Sequence, residues 1–269
     1  MGRIEDVFAK RAAEGKKAVI TYLCVGDPDS ESSTELALAC AEAGADVLEL
    51  GCPFSDPTAD GMAIARASQR ALARGGGLAE TLAVAKKIRE RSSVPMVLFG
   101  YYNPLFVRGE EEAIAAVAGA GIDALLVVDL PFEESLSLRR AAQATDIGVI
   151  PLVAPTTRSD RIAKLADVAR QYPVPFVYYV SMMGVTGGAG PSDVLAEAGQ
   201  KAAFVREATT RPTVVGFGID GAERAKIAAK DSDGVVVGSE IVRRIENGAT
   251  TAERVASVKA LVKELRDAV

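Results

Sequence analysis

The sequence contains no histidine, no tryptophan and only three cysteines among its 269 residues. A chain without histidine has no Ser-His-Asp or Cys-His catalytic unit and no metal site with histidine ligands. The cysteines, Cys24, Cys40 and Cys52, are odd in number and lack C-x-x-C spacing. This pattern argues against a disulfide framework or a zinc site and is typical of a reducing compartment.

Long apolar runs and clusters of basic residues are also missing. No run approaches the ~18 apolar residues of a membrane span, and the N-terminal segment MGRIEDVFAKR is too polar for a signal peptide. With 31 basic and 36 acidic residues the formal charge is −5, so nothing indicates binding to nucleic acid or to an anionic membrane. We therefore expect a soluble protein of the cytoplasm.

The apolar residues, 49% of the chain, are concentrated in short runs rich in Val, Ile, Leu and Tyr. Each run is almost continuously apolar, as expected of a parallel strand that is buried on both faces. The runs are 18–25, 46–51, 95–101, 123–129, 148–153, 175–181, 212–217 and 234–238. Ala-rich segments with helical spacing lie between them, so the sequence predicts eight βα units.

Eight βα units are the number that closes a (β/α)8 TIM barrel, here a single domain over residues 1–269. An open, doubly wound sheet is the alternative architecture. An extra N-terminal helix at residues 3–14 places Ile4, Val7 and Phe8 on one face, which suits a plug under the barrel. In barrel enzymes the active site lies at the carboxyl ends of the strands, so functional residues are expected there.

A carboxylate interrupts the second apolar run, DVLELG at residues 46–51. Because side chains alternate along a strand, Val47, Glu49 and Gly51 share one face, and either face of this strand is expected to be dry. Burial would raise the pKa of the Glu49 carboxyl toward the range in which it can transfer protons. A core ion pair is the alternative, but the interiors of the predicted strands contain no Lys or Arg, which favours catalysis.

The segment CPFSDPTADG at residues 52–61 follows this strand, and its prolines and polar turn formers predict an ordered loop. Asp60, directly before Gly61, is placed to enter the mouth of the pocket. It is equally well placed to cap the helix predicted to begin near Met62, and the spacing does not separate the two interpretations.

Two adjacent tyrosines, Tyr178 and Tyr179, occupy the sixth predicted strand and face opposite sides of it. One of them enters the barrel, and the other faces the helices. A tyrosine near Glu49 could hydrogen-bond to it or line a substrate pocket. From the residues alone, an ordinary core aromatic is the favoured interpretation.

Three glycine-rich segments follow the last predicted strands: GVTGGAG at 184–190, GFGIDG at 216–221 and Gly238-Ser239. Glycines let backbone N–H groups approach an anion, and Gly238-Ser239 opens a helix whose N-terminus attracts one. Many barrels bind phosphate at these positions, although tight turns alone would also require glycine. The only basic residues identified nearby are Arg243 and Arg244, so backbone N–H groups are expected to hold most of the phosphate.

GFGIDG also matches a dinucleotide fingerprint, which leaves a flavin- or nucleotide-binding barrel as a rival.

The carboxyl ends of the predicted strands lack the residues that a Schiff-base or metal-dependent reaction would need. No lysine lies at the carboxyl end of a predicted strand, so a Schiff-base aldolase would lack its nucleophile. Acidic residues do not gather there at metal-ligand spacing, and no metal is predicted. Cys24 and Cys52 are interpreted as small apolar fillers.

An apolar segment follows the third predicted strand, in YYNPLFVRGEEE at residues 101–112. Leu105, Phe106 and Val107 fall in what is predicted to be a surface loop, beside the neighbouring loop at 53–60. The two loops form either an exposed apolar patch for a partner protein or a cover folded down over the barrel.

Taken together, these segments resemble the tryptophan synthase alpha subunit family. The matching segments occur in family order along essentially the whole chain: LELGCPFSDPTADG (48–61), YYNPLF (101–106), DLPFEES (129–135), APTT (154–157), YYVSMMGVTG (178–187), GFGI (216–219) and GS (238–239). The family fold is a (β/α)8 barrel, in agreement with the independent count of strands.

The resemblance implies retro-aldol cleavage of indole-3-glycerol phosphate to indole and glyceraldehyde 3-phosphate. It implies that Glu49 transfers protons, that Asp60 contacts the indole N–H and that Tyr178 packs near Glu49. Thr186 would belong to a mobile loop at 184–192 that closes over the site and meets Asp60. The implied phosphate-binding residues are Gly187, Phe217, Gly218, Gly238 and Ser239. The implied indole-binding residues are Tyr22, Ile64, Leu126 and Phe217.

The resemblance also implies a partner, the tryptophan synthase beta subunit, in an alpha-beta-beta-alpha heterotetramer. The beta subunit carries pyridoxal phosphate, and this chain carries no cofactor of its own. Docking would use loops 53–60 and 101–108, and indole would pass to the partner through a tunnel. A stand-alone lyase of the same chemistry is the alternative.

Overall fold

The computed structural model describes residues 2–180, 192–216 and 218–269. These ranges contain nine strands and twelve helices, in which one or two helices follow every strand except β5, which is followed directly by β6. In the described ranges no helix is both long enough and apolar enough to cross a membrane.

The strands form one parallel sheet that curves into a barrel. In chain order they are β1 (Ala18–Cys24), β2 (Val47–Gly51), β3 (Met96–Gly100), β4 (Ala124–Val127), β5 (Gly148–Ile150), β6 (Leu152–Val153), β7 (Val177–Val180), β8 (Thr213–Gly216) and β9 (Gly234–Val237). Their order in the sheet is β5-β4-β3-β2-β1-β9-β8-β7-β6. Because β5 and β6 at its two ends are consecutive in the chain, the sheet closes as the predicted (β/α)8 barrel.

The barrel closes at Pro151, which divides the fifth predicted strand, residues 148–153, into β5 and β6. Proline has no N–H and cannot donate to a strand ladder. β5 pairs with β4, β6 pairs with β7, and the Tyr178 N–H donates to the Pro151 carbonyl at 3.0 Å. The interruption therefore lets one chain segment pass from one neighbouring strand to the other.

The helices surround the sheet. They are α1 (Arg3–Ala13), α2 (Ser30–Glu42), α3 (Met62–Leu72), α4 (Leu78–Arg91), α5 (Tyr102–Arg108), α6 (Glu110–Gly119), α7 (Leu136–Gln143), α8 (Ser159–Gln171), α9 (Ser192–Thr209), α10 (Ala222–Ala229), α11 (Ser239–Asn247) and α12 (Thr251–Ala268). Side-chain alternation along the strands separates two apolar layers. Leu48 and Tyr179 lie in the outer layer against the helices, whereas Val47 and Tyr178 lie inside the barrel, as the alternation predicts.

The N-terminal helix closes one end of the barrel. Ile4 and Phe8 of α1 are buried in the inner apolar layer, and Val7 packs against it. The ring of Phe8 lies 5.5 Å from that of Phe176, measured between centroids. The predicted plug is therefore confirmed.

The segment at 101–108 is a helix, not the predicted surface loop. Pro104 is tolerated because it lies in the first turn of α5, where a missing N–H costs no helical hydrogen bond. The Asp129 carboxylate accepts the N–H of Tyr102, the first residue of α5, at 2.8 Å. The sequence analysis missed this helix because the carboxylate that holds its N-terminus comes from the next βα unit.

Three aspartates at the amino ends of the strands fasten neighbouring strands together. Each precedes a strand by one residue and accepts a backbone N–H from the adjacent strand: Asp46 from Val19 (2.9 Å), Asp123 from Met96 (2.8 Å) and Asp233 from Thr213 (2.8 Å). Each also pairs with arginine: Asp46 with Arg11 and Arg266, Asp123 with Arg3 and Arg89, and Asp233 with Arg206. This end of the barrel is therefore held by recurring carboxylates far from the expected active site.

We expect Asp46→Ala to lower the free energy of unfolding by about 3–5 kcal/mol, because it leaves a buried N–H and two guanidinium groups without their carboxylate. The Asp46 side chain is only 6% exposed. Urea unfolding measures the loss. The control is Glu42→Ala, which removes an exposed partner of Lys259 and should cost less than about 1 kcal/mol. Equal losses in the two variants would contradict the prediction.

Candidate active site

Glu49 lies on β2 with its side chain inside the barrel. In the sheet register it is paired with Tyr22 of β1 on one side and with Val97 of β3 on the other. Both of these neighbours belong to the inner apolar layer. The carboxyl therefore lies on a dry face, as the sequence predicted, and the structure shows that this face is the inner one.

The Glu49 carboxyl is buried without compensation. It is 1% exposed, and its Oε1 has no hydrogen-bond partner. Among the described residues, no ion pair involves Glu49, so the alternative of a core ion pair is not supported. Desolvation raises the pKa of the carboxyl from 4.5 to about 8. Glu49 is therefore mostly protonated at neutral pH and able to donate a proton.

Asp60 lies in the loop between β2 and α3, and its Oδ2 accepts a hydrogen bond from the Tyr101 hydroxyl at 3.1 Å. Gly61 occupies the N-cap position of α3, so Asp60 is not the cap of this helix. Burial raises the pKa of Asp60 to about 6, while the hydrogen bond from Tyr101 opposes that rise. At neutral pH the Asp60 carboxylate is therefore mostly ionised, in contrast to Glu49.

Tyr101 is a site residue that the sequence analysis missed. Its hydroxyl accepts the Ala59 N–H at 3.0 Å while it donates to Asp60, so it holds both the backbone and the carboxylate of the loop. Its ring stacks on Phe54 with centroids 4.9 Å apart. The available signal was its place directly after β3, the strand next to Glu49.

Tyr178 on β7 points into the barrel, as one of the two adjacent tyrosines must. Its hydroxyl lies against Gly216, where a Cβ atom would overlap it, so glycine at that position makes room for the ring. Burial, and then the charge of Glu49, raise the pKa of this hydroxyl. Tyr178 is thus a neutral phenol, and it lies close enough to Glu49 for the ionised form of that carboxyl to influence its pKa.

The aromatic side chains around Glu49 form an apolar wall. Tyr22 packs against Gly51 and meets the ring of Phe99 edge-on, with centroids 5.0 Å apart. Ile64 of α3 and Leu126 of β4 are buried in the same inner layer. The predicted indole-binding residues Tyr22, Ile64 and Leu126 are therefore brought together, and Phe99 joins them although the sequence analysis did not name it.

The glycine-rich ends of β8 and β9 provide backbone donors. Gly218 has a φ of +74°, a left-handed conformation that favours glycine. Gly238 is the N-cap of α11, and Ser239 is its first residue. Helix N-termini attract anions through free N–H groups and the helix dipole.

Charges near these glycines are largely neutralised by one another. Glu240, in the first turn of α11, would repel an anion, but it pairs with Arg243 at 3.4 Å and with Arg244 at 3.1 Å. These two arginines therefore screen Glu240 instead of supplying free positive charge. That backbone N–H groups hold most of the phosphate stays a prediction.

The sequence analysis missed a third arginine close to these glycines, Arg224 in the first turn of α10. Its Nε donates to the carbonyl oxygen of Gly218. Its Nη2 is buried without a hydrogen-bond partner, and Asp220 lies 3.7 Å from the Nε. Arg224 thus supports the backbone of Gly218.

Several predicted residues lie outside the described part of the chain. They are Thr186, Gly187, Phe217 and the segment 184–191 of the predicted mobile loop. Among the described residues no group of His, Cys, Asp and Glu could hold a metal ion. Burial raises the pKa of the Cys24 thiol to about 12 and that of Cys52 to about 11, which suits their interpretation as apolar fillers.

The predicted apolar patch is divided between burial and exposure. Leu105 of α5 and Pro53 of the neighbouring loop are buried. Phe106 and Val107 are 63% and 76% exposed. Both alternatives are therefore partly right, and the exposed part lies on α5.

Comparison with known proteins points to one family. Residues 8–269 match the profile of the tryptophan synthase alpha chain family. The chain is 44% identical to the tryptophan synthase alpha chain of Geobacter sulfurreducens, covering 100% of this chain and 99% of the relative. It is 45% identical to that of Neisseria gonorrhoeae, with full coverage of both.

Solved structures give the same result. Tryptophan synthase subunit alpha from Legionella pneumophila superposes with a TM-score of 0.88 at 32% identity, covering 100% of this chain and 98% of the other. A chain of Mycobacterium tuberculosis tryptophan synthase superposes with a TM-score of 0.89 at 32% identity and the same coverage. The likeness extends over the whole barrel.

Glu49→Gln is expected to change how stability depends on pH. The pKa of Glu49 is 4.5 when exposed and about 8 in the folded protein, so between these values the folded state retains a proton that the unfolded chain releases. The resulting stabilisation is complete below pH 4.5 and is lost as the pH rises to about 8. The Gln variant, which is neutral throughout, should match the free energy of unfolding of the wild type at low pH and exceed it above about pH 8 by on the order of 5 kcal/mol.

Urea unfolding of wild type and Glu49→Gln across this pH range provides the test, with the exposed Glu42→Gln as the control. Curves for Glu49→Gln and wild type that stay parallel at all pH values would show that Glu49 has an ordinary pKa.

Tyr101→Phe should raise the pKa of Asp60 above about 6. Removing a hydrogen bond to the ionised carboxylate disfavours its charged form, by about one pH unit. NMR titration of carboxyl-labelled Asp60 measures the effect. Tyr102→Phe is the matched control, because the Tyr102 hydroxyl donates to Glu110 instead. An unchanged titration of Asp60 in Tyr101→Phe would refute this role of the hydrogen bond.

Proposed function

The chain belongs to the tryptophan synthase alpha chain family, and from this premise we propose that residues 1–269 form one catalytic domain in which Glu49 and Asp60 cleave indole-3-glycerol phosphate. The products are indole and glyceraldehyde 3-phosphate. The single observation that carries the assignment of roles is the contrast between two carboxyls. The pKa of Glu49 is about 8 and that of Asp60 is about 6. Environments that separate the pKa values of two nearby carboxyls are typical of an acid and a base with different tasks.

Glu49 is the proton donor at the start of the reaction. Its protonated carboxyl transfers a proton to carbon C3 of the indole ring, which turns the ring into an electron-deficient indolenine-like intermediate. The positive charge then resides on the ring nitrogen. The ionised Asp60 carboxylate stabilises this charge through the indole N–H, and the dry surroundings strengthen the interaction.

Cleavage leaves the donated proton on C3 of indole and supplies Glu49 with a new one. The bond between C3 and the adjacent glycerol carbon breaks, and its electron pair re-forms the aromatic ring. The hydroxyl on that glycerol carbon becomes the aldehyde as the Glu49 carboxylate accepts its proton. Glu49 therefore ends in its starting state, and the reaction needs neither a Schiff-base lysine nor a cofactor in this chain.

The rest of the site binds the two ends of the substrate. We assign the indole to the apolar wall of Tyr22, Ile64 and Leu126, and Tyr178 packs beside Glu49. We assign the phosphate to the N–H groups at Gly218, Gly238 and Ser239, where a helix N-terminus favours an anion. The family pattern adds Gly187 and Phe217 to these assignments and gives loop closure to Thr186.

The partner is the beta subunit, which carries pyridoxal phosphate. We propose that the chain docks in an alpha-beta-beta-alpha assembly through loop 53–60 and helix α5, where Phe106 and Val107 expose apolar surface. A stand-alone lyase of the same chemistry is the second candidate, and we place either one in the cytoplasm. The rival flavin- or nucleotide-binding barrel is set aside because residues 8–269 match the tryptophan synthase alpha chain family.

Indole release from indole-3-glycerol phosphate, measured for the wild type and Glu49→Gln, tests the proposal. We expect the variant to lose about 10²–10⁴-fold in kcat, the usual contribution of a general acid–base. Binding of glycerol 3-phosphate should survive, because the phosphate donors lie on other strands.

Glu42→Gln, an exposed carboxylate on α2, serves as the matched control and should retain full turnover. Equal turnover in Glu49→Gln and wild type would disprove the role of Glu49. Slow release by the chain alone that rises when beta subunit is added supports the subunit role, whereas fast release without it favours the stand-alone enzyme.

A further inference from the structure

Four charged side chains connect the helix that follows Asp60 to the helix that begins at the proposed phosphate site. They are Asp27, Arg66, Arg70 and Glu246, and we refer to them as the helix clamp. We propose that the helix clamp positions the indole-binding and phosphate-binding ends of the site relative to each other. This inference rests on the proposed function and assigns positioning residues to it.

The contacts of the helix clamp are direct and mostly bidentate. Arg70 of α3 donates from Nε and Nη2 to the two Asp27 oxygens, both at 2.8 Å, and from Nη1 to Glu246 at 2.9 Å. Arg66, one turn earlier on α3, donates from Nε and Nη2 to the two oxygens of Glu246 at 3.0 and 2.8 Å. Forked pairs of this kind fix orientation as well as distance, because the guanidinium group is planar.

The anchor of the helix clamp is buried. The Asp27 side chain, in the turn after β1, is only 4% exposed. The same turn packs closely on α3, because a Cβ at Gly26 would lie 3.1 Å from the Ala71 Cβ. The end of α3 therefore has little room to move relative to the barrel, and Glu246 joins α11 to this fixed point.

The opposite ends of the two helices lie at the proposed site. α3 begins directly after Asp60 and carries Ile64, while α11 begins at Gly238 and Ser239. Arg66 and Arg70 lie about 6 and 12 Å from the first residue of α3 along its axis, and Glu246 lies about 10 Å from the first residue of α11. Because helices are stiff over this length, a fixed separation at the clamped ends sets the separation of Asp60 from the phosphate donors.

None of the four side chains belongs to the proposed substrate contacts, so their effect should depend on both ends being occupied at once. A ligand that contacts only one end does not sense the separation between the ends. A ligand that spans both ends binds more tightly when the distance between the two ends is fixed, so it loses affinity when that distance varies.

Glu246→Gln tests the proposal, since it keeps the shape of the side chain but removes the charge that holds α11. Three probes are compared by calorimetry: indole, glycerol 3-phosphate and a non-cleavable indole joined to phosphate by a three-carbon chain. We expect the affinity of the linked probe to fall about tenfold, while the affinities of the separate probes stay within about twofold. kcat/KM for the natural substrate should fall in parallel with the affinity of the linked probe.

Arg70→Lys provides a second variant that keeps the charge but loses the fork, and it should change the linked probe in the same direction. The matched control is Glu35→Gln, which breaks the exposed pair between Glu35 and Arg91 and should leave all three affinities unchanged.

Unchanged linked-probe affinity in both clamp variants would overturn the proposal. A parallel loss for all three probes would also overturn it, because it would indicate a general structural role. A wild-type chain that neither binds the linked probe nor releases indole would instead refute the proposed function.

Discussion

The properties of the site depend on one carboxyl, Glu49, which is buried without a cation to pair with among the residues that the structure describes. Glu49 lies on an inner face lined by apolar side chains, and its Oε1 has no hydrogen-bond partner. Ionising a carboxyl in these surroundings is unfavourable, so the pKa of Glu49 is raised to about 8 and the group stays protonated at neutral pH. The aromatic wall to which we assign the indole is the same wall that keeps Glu49 neutral. In this proposal substrate binding and the acid strength of Glu49 have one physical origin.

Carboxyl groups at the two ends of the barrel have different surroundings, and we assign them different tasks. At the amino ends of the strands, Asp46, Asp123 and Asp233 form ion pairs with arginines and hold adjacent strands together. At the carboxyl ends, Glu49 and Asp60 have pKa values raised by burial. A carboxyl that pairs with arginine is stabilised in its charged form, whereas one without a cation is free to exchange a proton. The fold uses the same functional group for both purposes.

Sequence reasoning succeeded where the signal was local. The alternation in DVLELG correctly put Glu49 on the same dry face as Val47, and the adjacent tyrosines were correctly assigned to opposite faces. The residue spacing left the role of Asp60 open, and only the family resemblance implied one. Tyr101 was missed, because its hydrogen bond to Asp60 joins loops of different βα units. Sequence reasoning also took α5 for a loop, since the carboxylate that holds its first N–H is 27 positions away in the chain.

The sequence by itself determined the number of βα units, the dry face that Glu49 shares with Val47 and the glycines at the ends of the last strands. These features are encoded in short windows, by periodicity and by residue type. Only the tertiary structure decided that Glu49 is protonated, that Tyr101 holds Asp60 and that Glu246 reaches Arg70 across 176 positions of sequence. The physical reason is that a pKa and a long-range ion pair depend on which groups the folded chain brings together and how much water it excludes, and no local pattern contains that information.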